Sequence, residues 1–146
     1  MENKIKYIKT QNDENQILIG AVFNDKLIGY IRYGTTKKIW ISNLKVAKEF
    51  RHNGEKIGTK LLQIFENDCA FINRFIEGKF YPEGESGDVV KKFYNVNGYS
   101  VTKEGYDWIV FKSRPMQHDI DIDVMQVDYK EFEKYQQNFT ENEKEE

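Results

Sequence analysis

The stretch "NLKVAKEFRHNGEKIGTKLL", Asn43 to Leu62, joins a predicted strand to a predicted amphipathic helix. Within and beyond it, apolar residues recur at three- and four-residue steps, the period of a helix with one apolar face: Ile57, Leu61, Ile64, Phe65, Cys69 and Ile72. The helix is predicted to begin near Asn53-Gly54. Because a helix start leaves backbone N–H groups unpaired at the positive end of its dipole, this turn is a candidate phosphate site.

The loop before the helix supplies glycine and positive charge. Gly54 and Gly58 permit close approach of the backbone to a ligand. Basic residues lie around them in the sequence: Arg51, His52, Lys56 and Lys60. Glycines before a helix are also common in ordinary loops and caps, so this pattern alone is a weak signal.

The strand before the loop covers residues 39–46, and its apolar pattern changes face midway. In an unbroken strand, the first two of its four aliphatic residues would lie on one face and the last two on the other: Ile39, Ile41, Leu44 and Val46. One extra residue near Ser42-Asn43 would return all four to one face, which is the signature of a β-bulge. A strand buried on both faces, Trp40 included, explains the same pattern, and parity leaves both interpretations open.

The rest of the chain alternates short apolar segments with turns. Strands are predicted at residues 5–8, 17–23 and 27–33, the last two forming a hairpin with a tight turn at Asn24-Asp25. After the helix come a strand, a polar loop, a short helix with a left-handed stop at Asn97-Gly98, and two strands: residues 74–80, 81–87, 88–95, 99–103 and 107–112. This order predicts an α/β or α+β sheet layered with helices.

The opening stretch resembles the acetyl-CoA-binding motif of the GNAT superfamily of N-acetyltransferases. In that motif a bulged strand ending in Val-x-x-Glu-(aromatic)-Arg leads to Arg/Gln-x-x-Gly-x-Gly/Ala and a Leu-rich helix. The matching positions are Val46, Glu49, Phe50, Arg51 and Gly54, followed by Leu61 and Leu62. Lys56 departs from the pattern: either it replaces the second glycine, or Glu55-Lys56 is an insertion and Gly58 is that glycine.

A second stretch, "FYNVNGYSV" from Phe93 to Val101, is similar to the family's Phe-Tyr-x-x-x-Gly-Phe ending. Tyr94 occupies the position of a tyrosine that lies near the CoA thiol and often serves as general acid. A helix aromatic packed in the core is the alternative for Tyr94. The hairpin "FNDKLIGYI" is similar to the family's second and third strands, so the resemblance extends from Ile5 to about Lys112.

The resemblance implies a mixed, mostly antiparallel twisted sheet with a bulged central strand and a CoA-binding helix, in a domain covering residues 1–115. The family has one or two helices between its first two strands, whereas only about seven polar residues stand there, at 10–16. The early helices are therefore expected to be shortened or absent, and the acceptor side open or rebuilt.

The resemblance also implies the site residues. Acetyl-CoA, a co-substrate, is expected at ten positions: Asn43, Leu44, Val46, Arg51, His52, Asn53, Gly54, Lys56, Gly58 and Thr59. Backbone N–H groups of the bulged strand would bind the pantetheine and polarise the thioester. Tyr94 would protonate the leaving thiolate. For the base, Glu77 has the strand position; Glu83, Glu85 or a water are alternatives, and an idle exposed glutamate at 77 fits equally well.

Composition limits the other classes of function. No apolar run approaches the ~18 residues that a membrane helix requires, and the N-terminus has no signal-peptide pattern, so a cytoplasmic protein without a membrane partner is expected. One cysteine, Cys69, and two histidines make a metal site improbable; a buried small apolar residue is the expectation for Cys69.

The charge is divided unevenly along the chain. Residues 116–146 hold ten acidic residues and three lysines, a net charge of −7, which leaves +5 for residues 1–115 within a chain of net charge −2. A basic body suits an anionic ligand. Because no run alternates basic and aromatic residues, a small anion is favoured over nucleic acid.

The acidic extension, residues 116–146, carries its own patterns. Asp119, Asp121 and Asp123 alternate with aliphatic residues, which predicts a strand with one acidic face; calcium binding by that face is the weaker alternative. A helix follows, with Asp128 and Glu131 as capping box and an aromatic stripe: Tyr129, Phe132, Tyr135 and Phe139. This helix is expected to dock on its own domain or on a second copy, giving a homodimer, with residues 140–146 frayed.

Two functions follow from these patterns. The first is an acetyl-CoA-dependent N-acetyltransferase acting on a primary amine of a small molecule or protein, favoured by Arg51, Gly54 and Tyr94. The second is a catalytically weak module of the same fold that binds CoA or a protein partner, favoured by the departure at Lys56.

Overall fold

The computed structural model describes residues 4–51, 54–81 and 87–144. Within them the chain forms one eight-stranded sheet and three α-helices. In chain order they are β1 Lys6–Gln11, β2 Ile17–Phe23, β3 Lys26–Gly34, β4 Ile39–Val46, α1 Ile57–Cys69, β5 Ile76–Phe80, α2 Gly87–Val96, β6 Ser100–Glu104, β7 Asp107–Lys112, β8 Val124–Gln126 and α3 Tyr129–Lys144. The strand order is β6-β7-β5-β4-β3-β2-β1-β8, antiparallel except for β4 with β5 and β1 with β8. The predicted mixed sheet is confirmed.

The predicted bulge lies in β4, at the predicted place. Arg32 of β3 faces Asn43 and the next residue, Tyr33, faces Ile41, so Ser42 has no partner across the ladder. The extra residue returns the aliphatic side chains before and after it to the core face of the sheet. Trp40, which the alternative interpretation would bury, is only half-buried.

The bulge ends the pairing between β4 and β5. These two strands are in register only over three residue pairs: Ile39 with Ile76, Trp40 with Glu77, and Ile41 with Gly78. Beyond that point the backbone of residues 42–46 has no strand neighbour on the β5 side. The sheet therefore splays open in its middle, and the free edge of β4 forms one wall of a cleft.

The early helices are absent, as predicted. The connection between β1 and β2 is a five-residue turn in which Asn12 Oδ1 accepts hydrogen bonds from the backbone N–H groups of Glu14 and Gln16, both at 2.9 Å. The next connection is the predicted tight turn, because Asn24 and Asp25 both have positive φ, 53° and 61°. Few residues thus separate the first three strands.

The helix α1 covers one face of the sheet with its apolar stripe. Residues Leu61 and Phe65 are fully buried in the main core, together with side chains from β2, β3 and β4. Its predicted start is three residues early, because Lys56 adopts a left-handed conformation and the helix begins after it, at Ile57. Its predicted end is late: the helix stops at Cys69, and Ile72 packs against the core from the following turn.

A buried carboxylate joins α1 to the end of the sheet and to the extension. Glu66 is 1% exposed and accepts hydrogen bonds from Lys112 Nζ at 2.9 Å and Tyr99 OH at 2.7 Å. The backbone N–H of Met116 and Nε2 of His118 lie 3.0 Å from the same carboxylate. Burial and the adjacent carboxylate raise the pKa of Tyr99. This network fixes the path of the chain as it leaves β7.

The extension crosses to the other edge of the sheet, where its short strand pairs with β1 in parallel. The predicted strand over residues 119–124 is wrong, because only β8 forms ladder pairs and it begins at Val124. The alternation nevertheless holds: Ile120 and Ile122 pack against the main core while Asp119 and Asp121 are exposed. The domain boundary at residue 115 stays a prediction.

The helix α3 covers the second face of the sheet, within the same chain. Phe132 is fully buried, and a Cβ added at Gly20 would lie 3.0 Å from its ring and 2.6 Å from Leu27 Cδ1. At the helix start, the N–H of Glu131 donates to Asp128 Oδ1 at 2.9 Å, which is the Asp128 half of the predicted capping box. The helix continues to Lys144, and fraying of residues 140–146 stays a prediction.

Replacing Phe132 by alanine is expected to destabilise the protein by about 3 kcal/mol, the cost of a large cavity in a buried aromatic site. The matched control is Lys134→Ala, because Lys134 is exposed on the same helix. Urea unfolding followed by circular dichroism measures both. Equal midpoints for the two variants would show that α3 does not dock on this face.

Candidate functional site

A pocket of about 570 Å³ occupies the cleft where β4 and β5 separate. Its walls come from β4, from the loop and first turn of α1, from β5 and from α2. Eight of the ten predicted acetyl-CoA positions line it: Asn43, Leu44, Val46, Arg51, Gly54, Lys56, Gly58 and Thr59. The other two, His52 and Asn53, lie outside the described residues.

The turn before α1 depends on two left-handed residues. Gly54 has φ of +90°, and Lys56 has φ of +52°. A lysine in this conformation costs roughly 1 kcal/mol that a glycine would not. The conformation favours the alignment in which Lys56 occupies the motif's glycine position.

The first turn of α1 offers unpaired donors beside positive charge. The first hydrogen bond of the helix runs from the N–H of Lys60 to the carbonyl of Lys56, at 2.9 Å. The backbone N–H groups of residues 57–59 therefore have no hydrogen-bond acceptor within the helix. Arg51 Nε donates to the carbonyl of Val46 at 2.7 Å and so fixes the loop to the end of β4. This arrangement suits a pyrophosphate.

Tyr94 of α2 lines the pocket and is also packed among aromatic rings. It is 6% exposed, stacks on Phe80 at 5.6 Å and meets Tyr99 edge-on at 5.7 Å. Burial raises the pKa of the Tyr94 hydroxyl above its usual 10.0, because an apolar environment disfavours the phenolate. At neutral pH the hydroxyl therefore stays protonated. Tyr94 is packed in the core and also lines the pocket, and its role as general acid stays a prediction.

Of the candidate bases, only Glu77 lies in the described part of the chain, and it does not meet Tyr94 in this pocket. Glu77 is absent from the lining; it points to the face opposite Gly78, and its Oε1 accepts a hydrogen bond from Lys38 Nζ at 2.7 Å. Glu83 and Glu85 lie outside the described residues. Of the lining residues that the structure describes, none is an aspartate or a glutamate.

The sequence patterns missed the apolar far wall of the pocket. It consists of side chains and backbone from β5, the loop after it, α2 and β7: Gly78, Lys79, Phe80, Tyr81, Val89, Val90, Phe93 and Val110. Their positions depend on how strands far apart in sequence come together. Phe93 alone could have been predicted as a pocket residue, because it directly precedes Tyr94 in the second motif.

Three further features of the described part of the chain concern metal-binding groups, the single cysteine and membrane-spanning helices. Among the side chains that the structure describes, no group of three from His, Cys, Asp or Glu could hold a metal ion. Cys69 is buried, and burial raises the pKa of its thiol to about 12, which makes it a poor nucleophile at neutral pH. No helix in the described part of the chain combines the length and apolar character needed to cross a bilayer.

Comparison with known proteins finds similarity to solved structures but not to sequence families. No family model matches the chain, and no curated protein does. A Bacillus subtilis acetyltransferase solved with CoA has 14% identity and a TM-score of 0.58, over 75% of this chain and 99% of that one. A proposed streptothricin acetyltransferase from Bacillus anthracis, solved with acetyl-CoA, has 19% identity and a TM-score of 0.53, over 68% and 62%.

A third similar structure is a proposed acetyltransferase of the GNAT family from Desulfovibrio desulfuricans, with 20% identity and a TM-score of 0.52. The match covers 66% of each chain, so this chain spans just under two thirds of that protein. At these identities the likeness concerns the fold. With TM-scores of 0.52 to 0.58 to these structures, the chain has the fold of the GNAT acetyltransferases.

Proposed function

We propose that the protein is an acetyl-CoA-dependent N-acetyltransferase that acts on a primary amine of a small molecule or protein. The observation that carries the proposal is the convergence of eight predicted acetyl-CoA positions and Tyr94 on one pocket. Structures of the same fold that contain CoA and acetyl-CoA support it.

Acetyl-CoA would be bound along the free edge of β4. The pyrophosphate would accept hydrogen bonds from N–H groups of the first turn of α1, with Lys56 and Arg51 supplying positive charge. The pantetheine would run beside residues 42–46, whose backbone has no strand neighbour on the β5 side. A backbone edge without a strand neighbour is suited to an amide-containing chain, because it presents N–H and C=O groups in alternation.

The reaction would take place where the bulge meets Tyr94. Backbone N–H groups of Asn43, Leu44 and Val46 would polarise the thioester carbonyl. A neutral amine would attack the carbonyl carbon, a C–N bond would form, and the C–S bond would break. Tyr94 would give its proton to the departing CoA thiolate, which its raised pKa permits because the hydroxyl stays protonated at neutral pH.

The proton lost by the amine would pass to water, and a proton from water would restore the Tyr94 hydroxyl, so that the net products are the amide and the free CoA thiol. The pocket's described lining has no carboxylate, and the carboxylate of Glu77 is engaged by Lys38. These two observations favour a Glu77 that takes no part in the reaction.

A second candidate is a catalytically weak module that binds CoA or a protein partner. The left-handed Lys56, where the motif has glycine or alanine, favours it, since a strained turn would reshape the pyrophosphate site. The two candidates differ in whether the acetyl group is transferred to an amine. They separate on the release of free thiol from acetyl-CoA in the presence of a panel of primary amines.

Gly54→Val is expected to weaken CoA binding by more than about tenfold, because a β-branched residue at φ +90° would displace the turn. The matched control is Gly105→Val: Gly105 also has positive φ and open space around it, but it lies in the turn between β6 and β7. Isothermal titration calorimetry with CoA measures both variants. Unchanged affinity in Gly54→Val would place the CoA site elsewhere.

Tyr94→Phe is expected to lower turnover by ~10²-fold with little change in acetyl-CoA affinity, the effect of losing a general acid. Thiol release in steady state gives turnover, and calorimetry gives affinity. In the wild type, no fall in rate from phenolate formation is expected below about pH 10, because burial raises the pKa of Tyr94 above 10.0. Wild-type turnover in the variant would leave Tyr94 with a packing role only.

Glu77→Gln is expected to keep turnover within about twofold of the wild type, since removing one exposed ion pair changes little. The same thiol-release assay measures it across pH. A loss comparable to that of Tyr94→Phe, together with a lost ascending limb in the pH profile, would restore Glu77 as the base.

A further inference from the structure

Two side-chain hydrogen bonds connect the bulge in β4 to neighbouring parts of the chain. Gln16 Nε2, from the turn between β1 and β2, donates to Ser42 Oγ at 3.0 Å. Asn43 Nδ2 donates to the hydroxyl of Tyr30, on β3, also at 3.0 Å. Ser42 and Asn43 both line the pocket. These bonds act where the ladder pattern is interrupted, so they replace backbone pairing as the constraint on the bulge.

Tyr30 is itself held by the C-terminal helix. It is 6% exposed, and its ring meets Phe139 of α3 edge-on, with centroids 5.5 Å apart and an interplanar angle of 83°. Phe139 is 2% exposed and belongs to the same apolar cluster as Leu27 and Phe132. A ring packed in this way has one position for its hydroxyl. A continuous series of contacts therefore runs from α3 through Tyr30 to the pocket.

We propose that Tyr30, supported by Phe139, is a positioning residue for acetyl transfer. By fixing the side chain of Asn43 it keeps the backbone N–H groups of the bulge aimed at the thioester carbonyl. Donors stabilise a developing oxyanion only when they are already oriented, and a small displacement is costly. The role rests on the proposed function of the pocket. It gives the C-terminal helix a part in catalysis although none of its residues lines the described pocket.

The proposal separates two ends of the site. Tyr30 contacts Asn43, whereas the pyrophosphate turn is fixed independently by Arg51 and by the left-handed Gly54. Loss of the Tyr30 hydroxyl should therefore disturb the thioester while leaving most of the binding of acetyl-CoA intact.

Tyr30→Phe makes the test sharp, because it removes one oxygen and keeps the ring against Phe139. The matched control is Tyr7→Phe. The hydroxyl of Tyr7 is buried without a hydrogen-bond partner among the described residues, and Tyr7 packs in the main core under α1. The two variants make the same chemical change, but only the first removes a hydrogen bond at the bulge.

The measurement is the ¹³C resonance of [1-¹³C]acetyl-CoA bound to excess full-length protein, with affinity from calorimetry. In the wild type we expect the carbonyl signal to move downfield on binding, because hydrogen bonds polarise the carbonyl. In Tyr30→Phe we expect that displacement to fall by about half or more, while affinity changes by less than about fivefold, the worth of one neutral hydrogen bond. Tyr7→Phe should match the wild type in both.

Two further variants test the path of the effect. Asn43→Ala should lose the same displacement, and adding Tyr30→Phe to it should change nothing more, since the two residues act as one unit. Phe139→Leu, which keeps an apolar side chain against Tyr30 but withdraws the ring edge, should move the signal in the same direction as Tyr30→Phe.

The possible outcomes separate the positioning role of Tyr30 from the proposed acetyl-CoA-dependent function on which it rests. No binding of acetyl-CoA by the wild type would contradict the proposed function, and this role with it. Binding with equal carbonyl displacement in the wild type and Tyr30→Phe would contradict only the role of Tyr30. Additive effects of Tyr30→Phe and Asn43→Ala would also overturn it, because the hydroxyl would then act by another route.

Discussion

The structure depends on the interruption of one strand pairing in the middle of the sheet. The strands β4 and β5 pair over three residues, and the bulge at Ser42 then turns β4 away from its neighbour. In a sheet, an unpaired edge inside the molecule leaves backbone donors and acceptors that need partners. Here that edge faces a pocket of about 570 Å³, whose lining includes the first turn of α1 and Tyr94. A bound chain with amide groups would satisfy what the missing strand pairing does not.

The C-terminal extension completes the second face of the sheet. Only a short turn separates β1 from β2, so the chain places no helix there, and α3 fills the space with Phe132 seated over Gly20. The Glu66 network at the other end of the sheet directs the chain towards that position. The proposed role of Tyr30 would link stability to function, because the helix that buries the second face also packs against Tyr30, which contacts the bulge.

Local patterns predicted what local physics controls. The parity of four aliphatic residues indicated either a bulge near Ser42-Asn43 or a strand buried on both faces, and helical spacing identified α1, because both patterns report which face is buried. The start of α1 was missed since nothing in the sequence announces a left-handed Lys56. The strand predicted from residue 119 shrank to three residues because strand formation also needs a partner edge, and β1 pairs with the extension only from Val124. For Glu77, strand position could not reveal the ion pair with Lys38, which the parallel pairing of β4 and β5 creates.

The central claim is that the free edge of β4 and the first turn of α1 hold acetyl-CoA. Hydrogen–deuterium exchange of the full-length protein, with and without acetyl-CoA, tests it directly, because N–H groups without partners exchange rapidly until a ligand accepts them. We expect slower exchange on binding at Leu44, Val46 and residues 57–59, and no change in the edge strand β8, none of whose residues lines the pocket. Protection confined to other segments, or no protection at saturating acetyl-CoA, would contradict the account.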